Sequence, residues 1–293
     1  MAVDYASQTV LITGASSGIG RSLATALAAR GSSLVLIARR ADRLEALAAE
    51  LRATHRVQVT AIPFDLAAPD AGTGLRDAAA SRGITVTSLV NNAGFGTFGQ
   101  FTDEDPARLA QEIAVDVSAP VQLCHAFLPQ LVATGSGFLV NVASMAAYTP
   151  TPRMAVYGAA KAFVLSFTES LWAELRGTGL TVFALSPGAT STEFNAVVGT
   201  DNATAGARMR TPDDVAATAL AHLDRRNPGP SIIDGQSNRT SAAVIRLAPR
   251  RVTATMMERV TDPSRRKNLP ARLDREGGVA EADAGGSGAA RTS

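Results

Sequence analysis

The chain has 293 residues, 46% hydrophobic and 18% charged, with a formal net charge of +2. That length accommodates one large α/β domain with a full core, and so small a net charge gives no field that would draw in nucleic acid. A single cysteine, Cys124, excludes an internal disulfide and a cysteine-cluster metal site, and His55, His125 and His222 show no ligand spacing, so no metal is expected.

Residues 9–13 (TVLIT) read as a short buried strand. The run Gly14-Ala15-Ser16-Ser17-Gly18-Ile19-Gly20 follows, and residues 21–30 then carry leucine and alanine at helical spacing. Strand, glycine turn and helix in this order are the setting of a dinucleotide fingerprint. Gly14 makes the tight turn, and Gly18 lets the backbone approach a pyrophosphate at the helix N-terminus. Gly20 lets the helix pack close to the sheet. A second strand over 33–37 leads into Ala38-Arg39-Arg40. An acid at this distance from a glycine turn bonds a ribose 2′-hydroxyl, whereas arginine accommodates a 2′-phosphate. Guanidinium matches phosphate in charge and fork geometry, so Arg39 and Arg40 point to NADP(H) over NAD(H).

Helical patterns over 42–53, 106–131 and 157–176 alternate with strand-like segments at 57–62, 88–91, 137–142, 180–186 and 231–233. This alternation predicts a Rossmann-type, doubly wound parallel sheet of about seven strands, with helices on both faces and ligands at the strand C-terminal ends. Residues 1–239 form that domain. Residues 240–261 read as a basic amphipathic helical extension, with Val252, Met256 and Val260 recurring among Arg246, Arg250, Arg251 and Arg259. Such a helix docks on its own domain, a partner subunit or a membrane surface. Residues 262–293 carry too little apolar surface to fold and are expected to be disordered. No charged-then-apolar leader and no apolar run of spanning length is evident, so the expected location is cytoplasmic, with peripheral membrane contact as the remaining alternative.

Tyr157 and Lys161 stand four apart in the third helical pattern. One helix face carries both, so the ammonium sits beneath the phenol and is expected to lower its pKa. A tyrosine so placed exchanges a proton with a carbonyl or alcohol oxygen.

The set TGASSGIG, Asn91-Asn92-Ala93-Gly94, Ser144 thirteen positions before Tyr157, Lys161, and Ser186-Pro187-Gly188 resembles the short-chain dehydrogenase/reductase family, in its compact branch, over about residues 7–236. The resemblance implies that Ser144 holds the substrate oxygen, Tyr157 transfers the proton, and Lys161 tunes Tyr157 and binds the nicotinamide ribose. It also places Asp65 and Leu66 beside the adenine, Asn92, Ala93 and Gly94 along the ribose, and Pro187, Gly188, Thr190 and Thr192 at the nicotinamide end. Asp116 stands where the family usually has asparagine ordering a water, which implies a working enzyme with a shifted pH optimum. Expected pocket residues are Phe95, Phe98, Met145, Tyr148 and Phe194, an apolar lining suited to an uncharged hydrophobic ketone or alcohol. The loop with Gly199, Ala203, Ala205 and Gly206 is expected to form a lid, and Arg153, Arg208 and Arg210 are the charged loop candidates. A homodimer or homotetramer is implied. The competing readings are an NADPH-binding sensor or scaffold without turnover and a membrane-surface reductase of lipids.

Overall fold

The computed structural model describes residues 3–194, Val198 and 209–262. Seven strands form one parallel sheet: β1 (Thr9–Thr13), β2 (Ser33–Ala38), β3 (Val59–Pro63), β4 (Ser88–Asn91), β5 (Phe138–Val142), β6 (Thr181–Ser186) and β7 (Ser231–Ile233). Their order is β3-β2-β1-β4-β5-β6-β7. The chain therefore reverses its direction of travel between β1 and β4, and the crevice outside the carboxyl ends of these two strands is where such sheets bind ligands.

The described helices are α1 (Gly18–Ala28), α2 (Ala41–His55), α3 (Ala71–Ala80), α4 (Pro106–Ile113), α5 (Ala119–Thr134), α6 (Ala155–Glu174), α7 (Pro212–Leu223), α8 (Gln236–Leu247) and α9 (Arg250–Thr261). Successive side chains of a strand point to opposite faces. On one face Val10 and Ile12 pack with Leu23 and Leu27 of α1, Leu44 of α2 and Leu220 of α7. On the other, Leu11 packs with Leu75 of α3 and with Leu123 and Phe127 of α5. Burying each such leucine contributes about 1.5–3 kcal/mol, which is why β1 reads as a continuous apolar run.

One expectation gains detail and one needs correction. The helical run over 106–131 carries a π-turn: α4 ends at Ile113, the π-turn occupies Ala114–Ser118 with right-handed helical backbone at both junctions, and α5 follows. The extension over 240–261 is two helices, α8 and α9, separated at Ala248 and Pro249, because a proline there removes an N–H and starts a new helix instead of continuing the old one. Asp262 is described, and its carboxylate lies 3.5 Å from the Arg153 guanidinium; residues 263–293 and the glycines and alanines of the expected lid, with Arg208, lie outside the described residues.

A polar ladder crosses the core. Asn91 Nδ2 donates to Asn141 Oδ1 at 2.8 Å, Asn141 Nδ2 to Thr168 Oγ1 at 2.9 Å, and Thr168 Oγ1 to the Val164 carbonyl at 2.6 Å. It ties β4, β5 and α6 together with buried hydrogen bonds between protein groups, and the Asn91 Oδ1 atom at its end is left without a partner.

Candidate active site and cofactor cradle

The glycine turn lies at the end of β1. Gly14 has φ +65°, and a Cβ there would lie 2.8 Å from Asn92 Nδ2 and 2.9 Å from the Ala93 backbone, so only glycine fits. Asn92 and Ala93 clamp the turn from β4: both backbone N–H groups donate to Thr13 Oγ1, at 2.9 and 3.0 Å, and Asn92 Nδ2 donates to the Thr13 carbonyl at 2.9 Å. Gly18, with φ +52°, leaves room for the Thr192 methyl arriving from the loop after β6. The first turn of α1, from Gly18 through Ile19 and Gly20, thus opens toward the crevice with N–H groups free to meet an anion.

Beyond β2 the two arginines separate. Arg40 donates to Ser16 Oγ and Ser17 Oγ, both at 3.0 Å, and to Glu193 Oε2 at 2.8 Å. Arg43, one turn into α2, shares the same Glu193 carboxylate. Together the two guanidinium groups hold the Glu193 carboxyl down to about 2. Arg39 is exposed to solvent. The cationic patch at the glycine turn is therefore built from Arg40 and Arg43, and Arg43 is a residue that the sequence reading missed. Its only sequence signal is its place three positions after Arg40, on the same helix face. A carboxylate bound by two guanidiniums marks a place whose chemistry suits a phosphate.

Asp65 Oδ1 accepts from the Ala67 N–H at 3.1 Å and shapes the turn after β3. The Leu66 side chain is buried in the core, so only its backbone faces outward. At the other end, the Pro187 carbonyl accepts from the Met145 N–H at 2.8 Å. Thr190 Oγ1 donates to the Gly188 carbonyl at 3.0 Å, and Thr192 Oγ1 accepts from the Phe194 N–H at 3.2 Å.

Ser144, Tyr157, Lys161 and Asp116 come together at the C-terminal ends of β4 and β5. Ser144 caps the turn Met145–Tyr148; its Oγ accepts from the Ala146 N–H at 3.1 Å, and its hydroxyl also bonds with the Tyr157 side chain, which favours the phenolate. Lys161 Nζ lies 5.5 Å from the Tyr157 ring centroid and 2.9 Å from Asp116 Oδ2, and donates to the Val142 carbonyl at 3.3 Å. Asp116 Oδ1 accepts from the Phe95 N–H at 3.0 Å. A Cβ on Gly94 would meet both Asp116 Oδ2 and Lys161 Nζ within 3 Å, so the ion pair can lie against the backbone only because this residue is glycine.

The electrostatics correct one expectation. Tyr157 does not fall below the usual phenol value: burial pushes it up, Lys161 pulls it down, and Asp116 pushes it up again. Burial also raises the Asp116 carboxyl, against the pull of Lys161. For Lys161, burial opposes the charge, but Asp116 and Tyr157 more than offset it and the ammonium is held above its ordinary value.

Phe194 packs on Tyr157 with ring centroids 5.2 Å apart. Tyr148 Oη meets Ser186 Oγ at 3.2 Å, and Phe98 and Met145 are half-buried. The expected lining is not wholly uncharged: the Arg108 guanidinium lies 4.0 Å from the Phe95 ring centroid, and that of Arg246 lies 5.5 Å from the Tyr148 ring centroid. Among the described residues no acid, histidine and cysteine group could hold a metal, and no helix is long and apolar enough to cross a membrane.

Comparison with known proteins follows the same lines. Residues 8–203 match the short chain dehydrogenase family. Sulfoacetaldehyde reductase 2 of Chromohalobacter salexigens is 40% identical over 220 residues, covering 74% of this chain and 86% of that protein. The 7beta-hydroxysteroid dehydrogenase of Collinsella aerofaciens is 30% identical over 234 residues, covering 79% and 87%. A short-chain dehydrogenase from Sphingobium yanoikuyae, solved in complex with NADPH, superposes with a TM-score of 0.73 at 32% identity, covering 92% of this chain and 99% of that one.

Proposed function

The chain belongs to the short-chain dehydrogenase/reductase family, oxidoreductases of alcohols and their carbonyl counterparts, and from that premise we propose an NADP(H)-dependent enzyme in which Tyr157 is the proton donor and acceptor. The observation that carries this reading is Lys161 beneath the Tyr157 ring, fixed by Asp116, beside a glycine turn crowned with arginine. In the reducing direction, Ser144 and Tyr157 donate hydrogen bonds to the carbonyl oxygen. Charge building on that oxygen is met by two aligned donors. Tyr157 then gives up its proton, and the Lys161 ammonium stabilises the phenolate left behind. NADP(H), when held in the crevice, would supply the hydride in this direction and accept it in the other.

Arg40 and Arg43 are the proposed 2′-phosphate ligands, with Arg39 adding charge at the rim. Ser16, Ser17, Gly18, Ile19 and Gly20 would receive the pyrophosphate. Asp65, Leu66 and Asn92–Gly94 would line the adenosine, and Pro187, Gly188, Thr190 and Thr192 the nicotinamide. Phe95, Phe98, Met145, Tyr148 and Phe194 support a hydrophobic ketone or secondary alcohol as substrate. Arg108 on Phe95 supports a second reading, a small anionic aldehyde, in keeping with the sulfoacetaldehyde reductase likeness. Exposed Phe101, Ile113 and Phe163 support a homo-oligomer.

The test is oxidation of NADPH and NADH with a panel of hydrophobic ketones and short anionic aldehydes. Tyr157→Phe is expected to lower kcat about 10²–10⁴-fold, the usual reach of a general acid, while NADPH still binds. Undiminished turnover in that variant would remove Tyr157 from the chemistry.

A further inference from the structure

Glu112 lies on α4 with no exposed surface, and neither carboxylate oxygen completes a hydrogen bond of good geometry. The Thr97 hydroxyl and backbone N–H are directed toward it and favour its charged form. A buried acid without an ionic partner is rare, because its charged form is poorly solvated and its neutral form is then favoured. The groups that face it are themselves charged or titratable. Asp116 approaches from the π-turn, one turn further along the same face, Tyr157 and Lys161 from α6, and Glu104 from the segment ahead of α4. Arg108, one turn earlier on α4, does not neutralise it: its guanidinium lies over Phe95 and donates to Gln111 Oε1 at 2.8 Å. Arg153 donates toward Asp262 instead.

A small cavity of about 20 Å³ adjoins this cluster, lined by Thr97, Glu104, Leu109 and Arg153 among others. That is room for about one water. Glu104 reaches partial solvent exposure.

We infer that Glu112 is the proton store of this site, linked inward through Asp116 and Lys161 to Tyr157 and outward through Thr97 and the adjoining cavity to Glu104 and solvent. The inference rests on the role given to Tyr157 above and extends it. In reduction, Tyr157 loses its proton to the substrate oxygen and the Lys161 ammonium returns one to the phenolate. Asp116 carries the Glu112 proton to the neutral amine, and solvent then reprotonates Glu112. One proton leaves solvent for each alcohol formed, and oxidation runs the same path backward. Consistent with storage, burial pushes the Glu112 carboxyl up to about 7, with Asp116 and Glu104 pushing the same way against Thr97.

The deciding measurement is infrared difference titration of the full-length protein without substrate. A protonated-carboxyl band is expected to disappear with a midpoint near 7 and to be absent from Glu112→Gln. Glu112→Asp, which keeps the carboxyl, retains the band and covers the case in which the amide variant fails to fold. No such band, or one that persists in Glu112→Gln, overturns the proposal. The titration needs no substrate, so its outcome is separate from whether any compound in the panel is turned over. In the active enzyme, Glu112→Gln is expected to lower kcat about tenfold, leave KM for NADPH in place and remove the neutral-range inflection of the pH–rate profile. An inflection that stays overturns it as well.

Discussion

Two clusters of charge flank the crevice, and they behave in opposite ways. At the glycine turn, Arg40, Arg43 and Glu193 are 40–47% exposed, and the carboxyl of Glu193 is driven down. At the tyrosine, Lys161 and Asp116 are 5% and 0% exposed, and the carboxyls of Asp116 and Glu112 are driven up. Pairing is present in both; solvation differs. Where water remains, an acid gains from arginine without losing hydration, and the pair is weak and exchangeable. Where water is excluded, desolvation of the acid outweighs the lysine beside it, and the pair is held by its surroundings. The exposed cluster therefore suits a site that trades a carboxylate for a ligand phosphate, and the buried one suits machinery that keeps its geometry while protons move.

The comparison breaks most visibly at Asp116. Asp116→Ala leaves Lys161 buried without its partner and is expected to cost about 3–5 kcal/mol of stability in urea unfolding. A loss below about 1 kcal/mol would place this pair with the exposed ones. Asp116→Asn keeps the shape, removes the charge from beside Tyr157, and should move the pH–rate profile; an unmoved profile makes the substitution silent.

Glu112 sharpens the contrast through pH. A free glutamate releases its proton near 4.5, while the folded protein holds this one to about 7. The folded state then binds more protons than the unfolded state across that window, so stability falls as pH rises through it, by about 3 kcal/mol for a fully buried group. Glu112→Gln should raise the melting temperature above neutral pH and change it little in acid. The opposite order would mean the acid is charged and paired.

A smaller effect is expected at the exposed cluster. Arg43→Ala should weaken NADPH about tenfold, or about 1.4 kcal/mol, with NADH unaffected; an equal loss for both cofactors would place the 2′-phosphate elsewhere. Smallest of all, Glu193→Gln should leave stability within about 1 kcal/mol, since the acid is largely solvated. It should tighten NADPH several-fold at low salt, an effect that fades as salt rises.

Much of this was legible in the residues. Strands 9–13, 88–91 and 231–233 match the structure at both ends, because apolar runs bounded by polar turns leave little freedom in placement. Ser144, Tyr157 and Lys161 stand out because their roles demand fixed spacings. Other features were silent for physical reasons. Glu112 and Arg43 look like ordinary helix-surface charges, and only the packing of α4 and the reach of Glu193 show otherwise. The hydroxyl of Thr13 and the amide of Asn141 occupy strand positions where a hydrophobic residue would read the same, yet they hold the β4 turn and α6 in place.

The π-turn at Ala114–Ser118 has a consequence for how the molecule can vary. A π-turn holds about one residue more than an α-turn, so the helices on either side of it are out of phase by one position. Glu112 and Asp116 can look into the site while Leu123 and Phe127 of α5 look at the sheet only because of that offset. Removing a single residue here would restore a regular helix and rotate one of those two faces by about 100° relative to the other. The segment should therefore accept exchanges of side chain far more readily than any change of length.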